Sequence, residues 1–434
     1  MRGARITVAQ ARLAGLLLIV FVALACESAA AAELARGGAF GATFEPIGFD
    51  GTDVIVRQEQ RVLAFGPAGR RVVVQDVGLR EAVAGGGTLA LVRRRGGRDE
   101  LLAGPIGGPW PVLLSCPAGQ RLAPALASAV VLWPACDGLR VLAFAPGGQV
   151  AYDAGGRVRA LAADGDRVAW VAEDANGELR VFARGSADPA AAFLRHLGVG
   201  AQDALVSVAV AQDGRVRASR TDFNYETTCT TVGDGAGAQP RVRKDHCPRR
   251  VTFTAEGSVE SQAGDGDGAR AAIVRRSRSG AVLSTIASYA DFAIARPFAT
   301  DGVRIATSLS TCRGSRLVAD ALATARFTKP SCPIRPTARS VTATRAGVVR
   351  IRVHCAQGCM GVAGGMDLRL GSLGRVFTSE TFLDLTAGRS GHIAFRLSRG
   401  QLRGLRRRGA VTGRVSIIGY EHRTNFTMRV RASR

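Results

Sequence analysis

Short apolar runs alternate with polar turns along most of this chain, and the pattern predicts β-strands. Each unit begins with an apolar run, passes through a Gly, Asp or Asn turn and continues as an alternating strand such as Leu179–Arg184. Asn176-Gly177 and Asp213-Gly214 are typical of tight hairpin turns because these residues tolerate positive φ angles. No stretch before residue 328 keeps a 3.6-residue apolar period, so we predict an all-β fold. The apolar runs begin near Asp53, Thr88, Ala129, Arg167, Leu205, Ala271 and Val303.

The alternating strands belong to a degenerate repeat of about forty residues. The pentapeptide RVLAF occurs at Arg61–Phe65 and Arg140–Phe144, and weaker copies start near Glu100 and Arg180. The four reference positions 61, 100, 140 and 180 are therefore spaced by 39, 40 and 40 residues. No unit of this length can bury its own apolar face, so neighbouring units must pack together as the blades of a β-propeller do.

Residues 40–328 hold about seven such units, and counts of six or eight remain open because one step of the repeat is too long. We interpret the excess, Thr221–Gly268, as an elaborated loop or long hairpin; a degenerate blade within it is the alternative. The segment DGDRVAWVAED at Asp164–Asp174, followed by GELRVFARG, resembles the β-propeller superfamily in the general alternation of strands and turns within a blade.

The last quarter of the chain has a different pattern of residues from the repeat region. Three prolines in Phe327–Thr337 predict a linker over residues 329–337, and the strands predicted in residues 338–434 fit a small immunoglobulin-like β-sandwich. Ser398–Arg408 is expected to form one short helical turn. RIRVHCAQGCMG from Arg350 and FRLSRGQLRGLRRRG from Phe395 resemble C-terminal sandwich domains of secreted actinobacterial proteins, which implies an accessory role.

The first 32 residues have the organisation of a signal peptide. A basic segment precedes the apolar run Leu13–Ala25, and Ala30–Ala32 offers small residues for cleavage. We therefore predict an extracellular or cell-surface protein with no membrane-spanning segment after cleavage. Cys26 lies in a loose lipobox, so a lipid anchor at this cysteine is the less favoured alternative.

The cysteine count agrees with export. Setting Cys26 aside leaves an even number, and in a secreted chain this indicates disulfides. Spacings of 20, 18, 20 and 4 residues between sequence neighbours suggest four local bridges, although other pairings stay open. The eight candidates are Cys116, Cys136, Cys229, Cys247, Cys312, Cys332, Cys355 and Cys359.

The formal net charge of +23 is carried almost wholly by arginine, since Lys244 and Lys329 are the only lysines. A field of this sign would attract anionic polymers outside the cell, although solvated surface charge is the simpler interpretation. The basic residues are spread along the chain and no aromatic-interleaved basic motif occurs, so nucleic-acid binding is not expected.

Residues that could carry chemistry form no recognisable constellation. A Gly-x-Ser-x-Gly elbow is absent. Asp265-Gly-Asp267 lacks the further acidic ligands of a calcium loop, so we expect neither a metal nor another cofactor.

Trp110, in the loop GGPWP, is a candidate platform for sugar stacking, with a hydrophobic plug as the preferred interpretation. The acidic candidates are Asp164, Asp166, Glu173, Asp174, Asp265 and Asp267, each of which also fits ordinary turn chemistry.

Two function classes follow from the sequence. The preferred one is a secreted, non-catalytic binding or scaffolding protein that holds an extracellular or cell-wall partner on a propeller disc. The alternative is a propeller glycosidase or lyase acting on extracellular polysaccharide. Convergent acids with Tyr or Arg at the channel mouth would favour the enzyme, whereas an Ala, Gly and Arg lining would favour the binding protein.

Overall fold

The computed structural model describes sixteen segments of the chain, and the structural statements below concern these residues. They are 32–36, 44–119, 122–127, 130–185, 192–199, 205–223, 227–232, 241–243, 248–262, 272–288, 297–311, 314–328, 334–355, 366–377, 389–418 and 423–433. No helix within them is long and apolar enough to cross a membrane.

The chain folds into seven four-stranded antiparallel sheets followed by two further sheets, so the predicted all-β fold with a propeller is confirmed. The first three sheets, blades 1–3, take their strands in chain order. Blade 1 consists of β2 (Glu45–Asp50), β3 (Asp53–Gln58), β4 (Arg61–Gly66) and β5 (Gly69–Gln75). Blade 2 consists of β6 (Leu79–Gly85), β7 (Thr88–Arg95), β8 (Arg98–Pro105) and β9 (Val112–Pro117). Blade 3 consists of β10 (Ala125–Ala127), β11 (Val130–Pro134), β12 (Arg140–Ala145) and β13 (Gly148–Asp153).

Blades 4–6 continue the same order. Blade 4 consists of β14 (Arg157–Asp164), β15 (Arg167–Glu173), β16 (Glu178–Gly185) and β17 (Ala192–Val199). Blade 5 consists of β18 (Leu205–Val210), β19 (Val216–Phe223), β20 (Thr227–Val232) and β21 (Arg241–Arg243). Blade 6 consists of β22 (Pro248–Thr254), β23 (Gly257–Gln262), β24 (Ala272–Ser277) and β25 (Val282–Ser288).

Blade 7 joins the two ends of the ring. Its strands are β26 (Phe298–Thr300), β27 (Arg304–Thr311), β28 (Gly314–Ala321) and, as the outer strand, β1 (Ala32–Arg36). β1 pairs antiparallel with β28 and places Ala32 opposite Ala319. The ring therefore includes residues that precede the predicted propeller start at residue 40, because its closing strand comes from the other end of the chain.

The repeat marks the third strand of each early blade. Arg61, Glu100, Arg140 and Arg180 lie on β4, β8, β12 and β16, which occupy equivalent places in their sheets. The predicted hairpin turns are confirmed as well, since Gly177 joins β15 to β16 with φ of 78° and Gly214 joins β18 to β19 with φ of 87°.

The interpretation of Thr221–Gly268 as an elaborated loop is wrong. This segment contains β20 and β21, which complete blade 5, and β22 and β23, which open blade 6. The apolar run predicted from Leu205 is the innermost strand of its blade and the run from Ala271 is a third strand, whereas the runs near Asp53 and Thr88 are second strands. In blades 5 and 6 the predicted apolar runs therefore fall on a first and a third strand instead of a second strand, and each blade still has four strands.

Apolar faces of adjacent blades pack on each other to form the core. One cluster joins Ile55 and Val62 of blade 1 to Leu89 and Leu102 of blade 2. Trp133 and Trp170 are fully buried, and each indole Nε1 donates to a backbone carbonyl 3.0 Å away, on Leu122 and Ala154 respectively. Burial of large side chains between blades is what a single forty-residue unit could not achieve alone.

Two sheets that share one apolar core follow the ring. The first orders β29 (Ile334–Pro336), β31 (Val348–Cys355) and β34 (Arg389–Arg396). The second orders β30 (Ser340–Thr342), β36 (Arg423–Arg431), β35 (Ala410–Ile418), β32 (Met366–Arg369) and β33 (Arg375–Phe377). The proline-rich segment predicted to be irregular therefore contains β29, whose edge position tolerates Pro336.

One α-helix, α1 (Arg399–Arg408), lies within the described residues, together with a 3₁₀ turn at Gly371–Leu373. Its first residue follows Ser398, whose hydroxyl accepts from the Gln401 backbone while the Gln401 side chain accepts from the Ser398 backbone. This reciprocal cap satisfies two otherwise unpaired N–H groups. Leu405 is buried in the core, so the predicted helical turn is confirmed and longer than expected.

A disulfide joins Cys116 to Cys136, with 5.1 Å between their Cα atoms. It links the outer strand of blade 2 to the turn after β11 and matches the first of the predicted local pairs. The side chains of Cys229 and Cys355, and the whole of Cys26, Cys247, Cys312, Cys332 and Cys359, lie outside the described residues, so those pairings stay predictions.

Replacing both bridged cysteines with alanine is expected to lower the free energy of unfolding by about 3 kcal/mol. The bridge spans a separation of 20 residues, which restricts the unfolded chain, and Cys116 is fully buried between blades 2 and 3. Urea denaturation of the double variant, with dithiothreitol-treated protein as comparison, measures this loss. A double variant as stable as the oxidised protein would contradict the expected role of the bridge.

Candidate functional site

The innermost strands of the seven blades surround a central channel of about 1000 Å³. Its walls consist mainly of Ala, Val, Leu and Gly, and charged residues lie at the two ends. We call the end where the innermost strands begin the upper mouth and the end where they finish the lower mouth. A concave, largely apolar cavity with a few convergent polar groups is the usual form of a ligand site.

β-Bulges shape the upper mouth. The innermost strands of blades 1, 2, 4 and 6 each contain one extra residue near their start, where the pairing register shifts. A bulge twists its strand and re-aims the neighbouring side chains. Glu81 and Arg250 directly follow their bulges, and both line the channel.

Two glutamates of the upper mouth share one arginine. The Arg57 Nε donates to Oε2 of Glu45 at 2.7 Å, and the Arg57 Nη1 lies 3.5 Å from Oε2 of Glu81. Burial raises the pKa of the Glu81 carboxyl, Arg57 lowers it in part, and the negative charge of Glu45 raises it further. Glu81 therefore holds its proton to a higher pH than a free glutamate, although it contacts a guanidinium.

Arg250 faces the same mouth without a partner. Within the described residues it makes no hydrogen bond or ion pair, and its guanidinium lies 5.7 Å from the centre of the Phe298 ring. Burial lowers the pKa of Arg250, and the charge of Glu45 offsets part of that effect. The side chain remains protonated, because an arginine guanidinium does not lose its proton at ordinary pH.

The opposite side of the upper mouth is less polar. Leu122, Ala123 and Pro124 precede the innermost strand of blade 3, and Val206 lies on that of blade 5. Between them, Arg159 of blade 4 is ion-paired with Glu173. The upper mouth thus combines a charged side, built by blades 6, 1 and 2, with a mainly apolar side.

Acidic residues at the lower mouth are held by neighbouring groups. Asp213 lies 2.8 Å from Nε of Arg215, and Asp301 lies 2.7 Å from Nη2 of Arg304. Asp164 accepts from the Gln212 backbone N–H at 3.3 Å, and burial raises the pKa of Asp164. These contacts fix the turns between the first and second strands of their blades.

The structure separates the acidic candidates predicted from the sequence. Asp164 lines the lower mouth, and Glu173 pairs with Arg159 at the other end. Asp174 accepts from the N–H groups of Asn176 and Glu178 at 2.9 Å, which is turn chemistry. Asp166 lies in the turn after Asp164, while Asp265 and Asp267 lie outside the described residues.

Trp110 does not line the channel. Its indole Nε1 donates to the Pro105 carbonyl at 2.8 Å, and its ring packs against the core shared by blades 1 and 2. The same ring borders a cavity of about 250 Å³ together with Asp76 and Arg93. Stacking of a ligand on Trp110 stays a prediction.

The sequence pattern did not indicate Glu45, Arg57, Glu81 or Arg250 as site residues. Glu45 and Glu81 lie on innermost strands, eight and seven positions before the apolar runs from Asp53 and Thr88, and a bulge interrupts the pattern of each strand. Arg57 lies at the end of an apolar run, and Arg250 lies on a bulged strand in the part of the ring where the repeat is out of phase. No group of three or more His, Cys, Asp or Glu suited to a metal ion occurs in the described part of the chain.

No protein-family model matches this chain, and no curated protein matches it. Among solved structures, similar chains are β-propeller proteins. TolB from Acinetobacter baumannii is 11% identical, with 73% of this chain and 71% of that chain covered and a TM-score of 0.37. A gluconolactonase from Xanthomonas campestris is 12% identical, covering 69% and 92% with a TM-score of 0.38. A prolyl endopeptidase is 12% identical, covering 72% and 55% with a TM-score of 0.44. These similarities are too distant to bear on activity or ligand.

Proposed function

We propose that this is an exported, non-catalytic binding protein whose propeller holds an extracellular or cell-wall partner at the upper mouth of the channel. The observation that carries the proposal is the form of that mouth: a wide cavity with walls of small apolar residues and arginines at its rim. The C-terminal sandwich would serve as a spacer or attachment module, as in the secreted actinobacterial proteins it resembles.

Binding is favoured over catalysis because most acids that line the channel are held in ion pairs or backbone hydrogen bonds. Glu45 is held by Arg57, Asp213 by Arg215 and Asp301 by Arg304. No tyrosine or histidine occurs among the described residues of the lining. Proton transfer there would fall to the carboxyls, most of which are already engaged by arginines or backbone N–H groups.

The extracellular setting is supported by the predicted signal peptide and by the Cys116–Cys136 bridge, since disulfides persist in oxidising compartments. The net charge of +23 favours encounter with anionic polymers such as those of cell walls. If the signal peptide is cleaved before Glu33, residues 33–36 of the closing strand β1 remain in the mature chain.

Sedimentation of the mature protein with isolated cell walls and polysaccharides, over a salt series, tests the proposal. A specific site should retain binding at about 0.5 M salt, where exposed charges more than a few ångströms apart are screened. Binding that disappears across the series would show that the arginine-rich surface alone attracts the polymer, and the proposal would be lost.

A second candidate function, hydrolysis or lysis of polysaccharide, is favoured by Glu45 and Glu81. Two carboxyls with separated environments are the usual components of an acid–base pair. Glu81, whose pKa is raised by burial, would donate a proton, and Glu45 would be the second carboxyl of the pair. Release of reducing or unsaturated ends from polysaccharides by the wild type, but not by Glu81→Gln, would support the enzyme and contradict the non-catalytic proposal.

Glu81→Gln also has an expected effect on stability, independent of any activity. The folded protein holds the Glu81 proton up to a higher pH than the unfolded chain, so this group makes stability fall as pH rises between the two pKa values. The variant cannot titrate there, and its free energy of unfolding should decline less as the pH rises above about 4, the ordinary pKa of a glutamate. Urea denaturation across this range measures the difference from wild type.

The matched control for Glu81→Gln is Glu256→Gln. The Glu256 side chain is 71% exposed, and its carboxylate is 3.3 Å from Arg275. This variant should follow the wild-type pH dependence. Identical profiles for Glu81→Gln and wild type would contradict a raised pKa at Glu81.

A further inference from the structure

Arg250 is a charged group placed in a cavity without a counter-ion in direct contact. It follows the bulge of β22, lines the upper mouth, and makes no hydrogen bond or ion pair within the described residues. Its contact with the Phe298 ring, at 5.7 Å, satisfies none of its five N–H donors. The other arginines described at this mouth, Arg57 and Arg159, are both ion-paired.

A partly buried charge without a partner is costly, and proteins usually pair such groups. The other arginines of the mouth show that this fold supplies carboxylates where structure alone requires them. Arg250 would therefore be suited to a partner that arrives from outside. A guanidinium is planar and donates two parallel hydrogen bonds, a geometry that matches an oxyanion.

The surroundings of Arg250 limit the charge of that oxyanion. Glu45 lies close enough to influence the guanidinium, so a dianionic phosphate would meet a second negative charge beside its own. A carboxylate carries one charge and matches one guanidinium. The cavity of about 1000 Å³ and the mainly apolar side formed by Leu122, Ala123 and Pro124 leave room for the body of the ligand.

We propose that Arg250 binds the carboxylate of a ligand at the upper mouth, and that this ligand is a uronic acid residue of an extracellular polysaccharide. The sugar class rests on the proposed function, whereas the carboxylate rests on the geometry of Arg250. The ligand oxygens accept from the Arg250 guanidinium, and the sugar ring extends toward the opposite, mainly apolar side of the mouth.

Calorimetric titration of the full mature chain with D-glucuronate tests the carboxylate directly. D-glucose, which lacks the charge, and glucose 6-phosphate, which is dianionic, are the comparison probes. We expect glucuronate to bind most tightly and Arg250→Gln to weaken it by at least about tenfold, the usual effect of losing a charged hydrogen-bond pair. Tighter binding of the phosphate would overturn the carboxylate assignment.

Arg278→Gln is the matched control, because it removes the same charge from the lower mouth of the same channel. Arg278 is 65% exposed, and its Nη2 lies 3.9 Å from Asp213. The affinity of the Arg278→Gln variant for glucuronate should stay within about twofold of wild type, since salt screens an exposed charge at the opposite mouth from the ligand. Equal losses in Arg250→Gln and Arg278→Gln would show that overall charge governs binding and would overturn the inference.

Thermal unfolding provides a readout that does not depend on the titration. Arg250→Met removes a charge without a direct counter-ion and keeps an apolar stem, so the ligand-free variant should melt about 2 °C above wild type. Glucuronate should raise the Tm of wild type and leave that of Arg250→Met unchanged. A lower Tm for the free variant, or an equal ligand shift in both, would contradict a ligand-binding role for Arg250.

The outcomes separate this inference from the proposed function. If glucuronate binding requires Arg250 but binding to cell walls does not resist salt, Arg250 binds a carboxylate and the cell wall is not the partner. If Arg250→Gln binds cell walls as strongly as wild type, the protein binds walls but Arg250 does not bind the ligand's carboxylate.

Discussion

Replacing Glu260 with alanine is expected to lower the free energy of unfolding by about 3–5 kcal/mol, because two arginines would then lie in the ring without their shared counter-ion. Glu260 is only 3% exposed. Its carboxylate contacts the Arg217 guanidinium of blade 5 and accepts from Nε of Arg276 at 2.8 Å within blade 6. Ser258 Oγ and Gln262 Nε2 also donate to it, at 3.1 and 3.3 Å. Urea denaturation measures the loss.

Two further variants make the Glu260 prediction specific. Glu256→Ala removes an exposed glutamate of the same blade, paired with Arg275, and should change stability by less than about 1 kcal/mol. Replacing Glu260, Arg217 and Arg276 together by Leu and Met should recover much of the loss, since an apolar substitute for a buried ion network is often neutral or stabilising. A stable Glu260→Ala variant would show that this network does not hold blades 5 and 6 together.

Loss of β1 should destabilise the ring by about 5 kcal/mol, combining the burial of one leucine with four or so strand hydrogen bonds. β1 is the outer strand of blade 7, and Leu34 and Ala35 pack against a core shared by blades 7 and 1. Without it, the seventh sheet would present an unpaired edge at β28 and invite association of chains. A chain starting at residue 43 is compared with one starting at residue 31 by urea denaturation and sedimentation velocity.

Arg36→Gln is the control for β1. Its side chain is 81% exposed and pairs with Glu33, so the strand remains and the urea midpoint should stay close to that of wild type. Equal stability of the chains starting at residues 31 and 43 would contradict closure by β1. Amino-terminal sequencing of exported protein gives a related check, because cleavage beyond Arg36 would remove the closing strand.

The sequence predicted the ring because the third strands of successive blades are similar and regularly spaced. Arg61 and Arg140 occupy equivalent places, and the alternating residues around them reflect one face packed on the neighbouring blade. The phase slip in blades 5 and 6 was not foreseen, because turn residues and glycines dominate Thr221–Gly268 and hide its short strands. Closure by β1 could not be foreseen either, since its partner β28 is nearly three hundred residues away.

The upper mouth was harder to predict than the fold. Arg250 and Glu81 are separated by more than 160 residues and meet only because the ring closes. Their roles depend on which charges are paired, and a sequence does not show that Arg57 and Arg159 have acidic partners while Arg250 has none among the residues that the structure describes. Turn aspartates such as Asp174 stand out in the sequence because they accept backbone N–H groups of their own turn, and Asp174 is not part of the site.

Hydrogen–deuterium exchange with and without a bound cell-wall polysaccharide tests whether the propeller binds its partner at the upper mouth. We expect slower amide exchange at the beginnings of β2, β6 and β22, next to Glu45, Glu81 and Arg250, with unchanged exchange in the outer strands. Protection confined to the outer strands, to the loop of Trp110 or to the C-terminal sheets would contradict it and place the binding surface elsewhere.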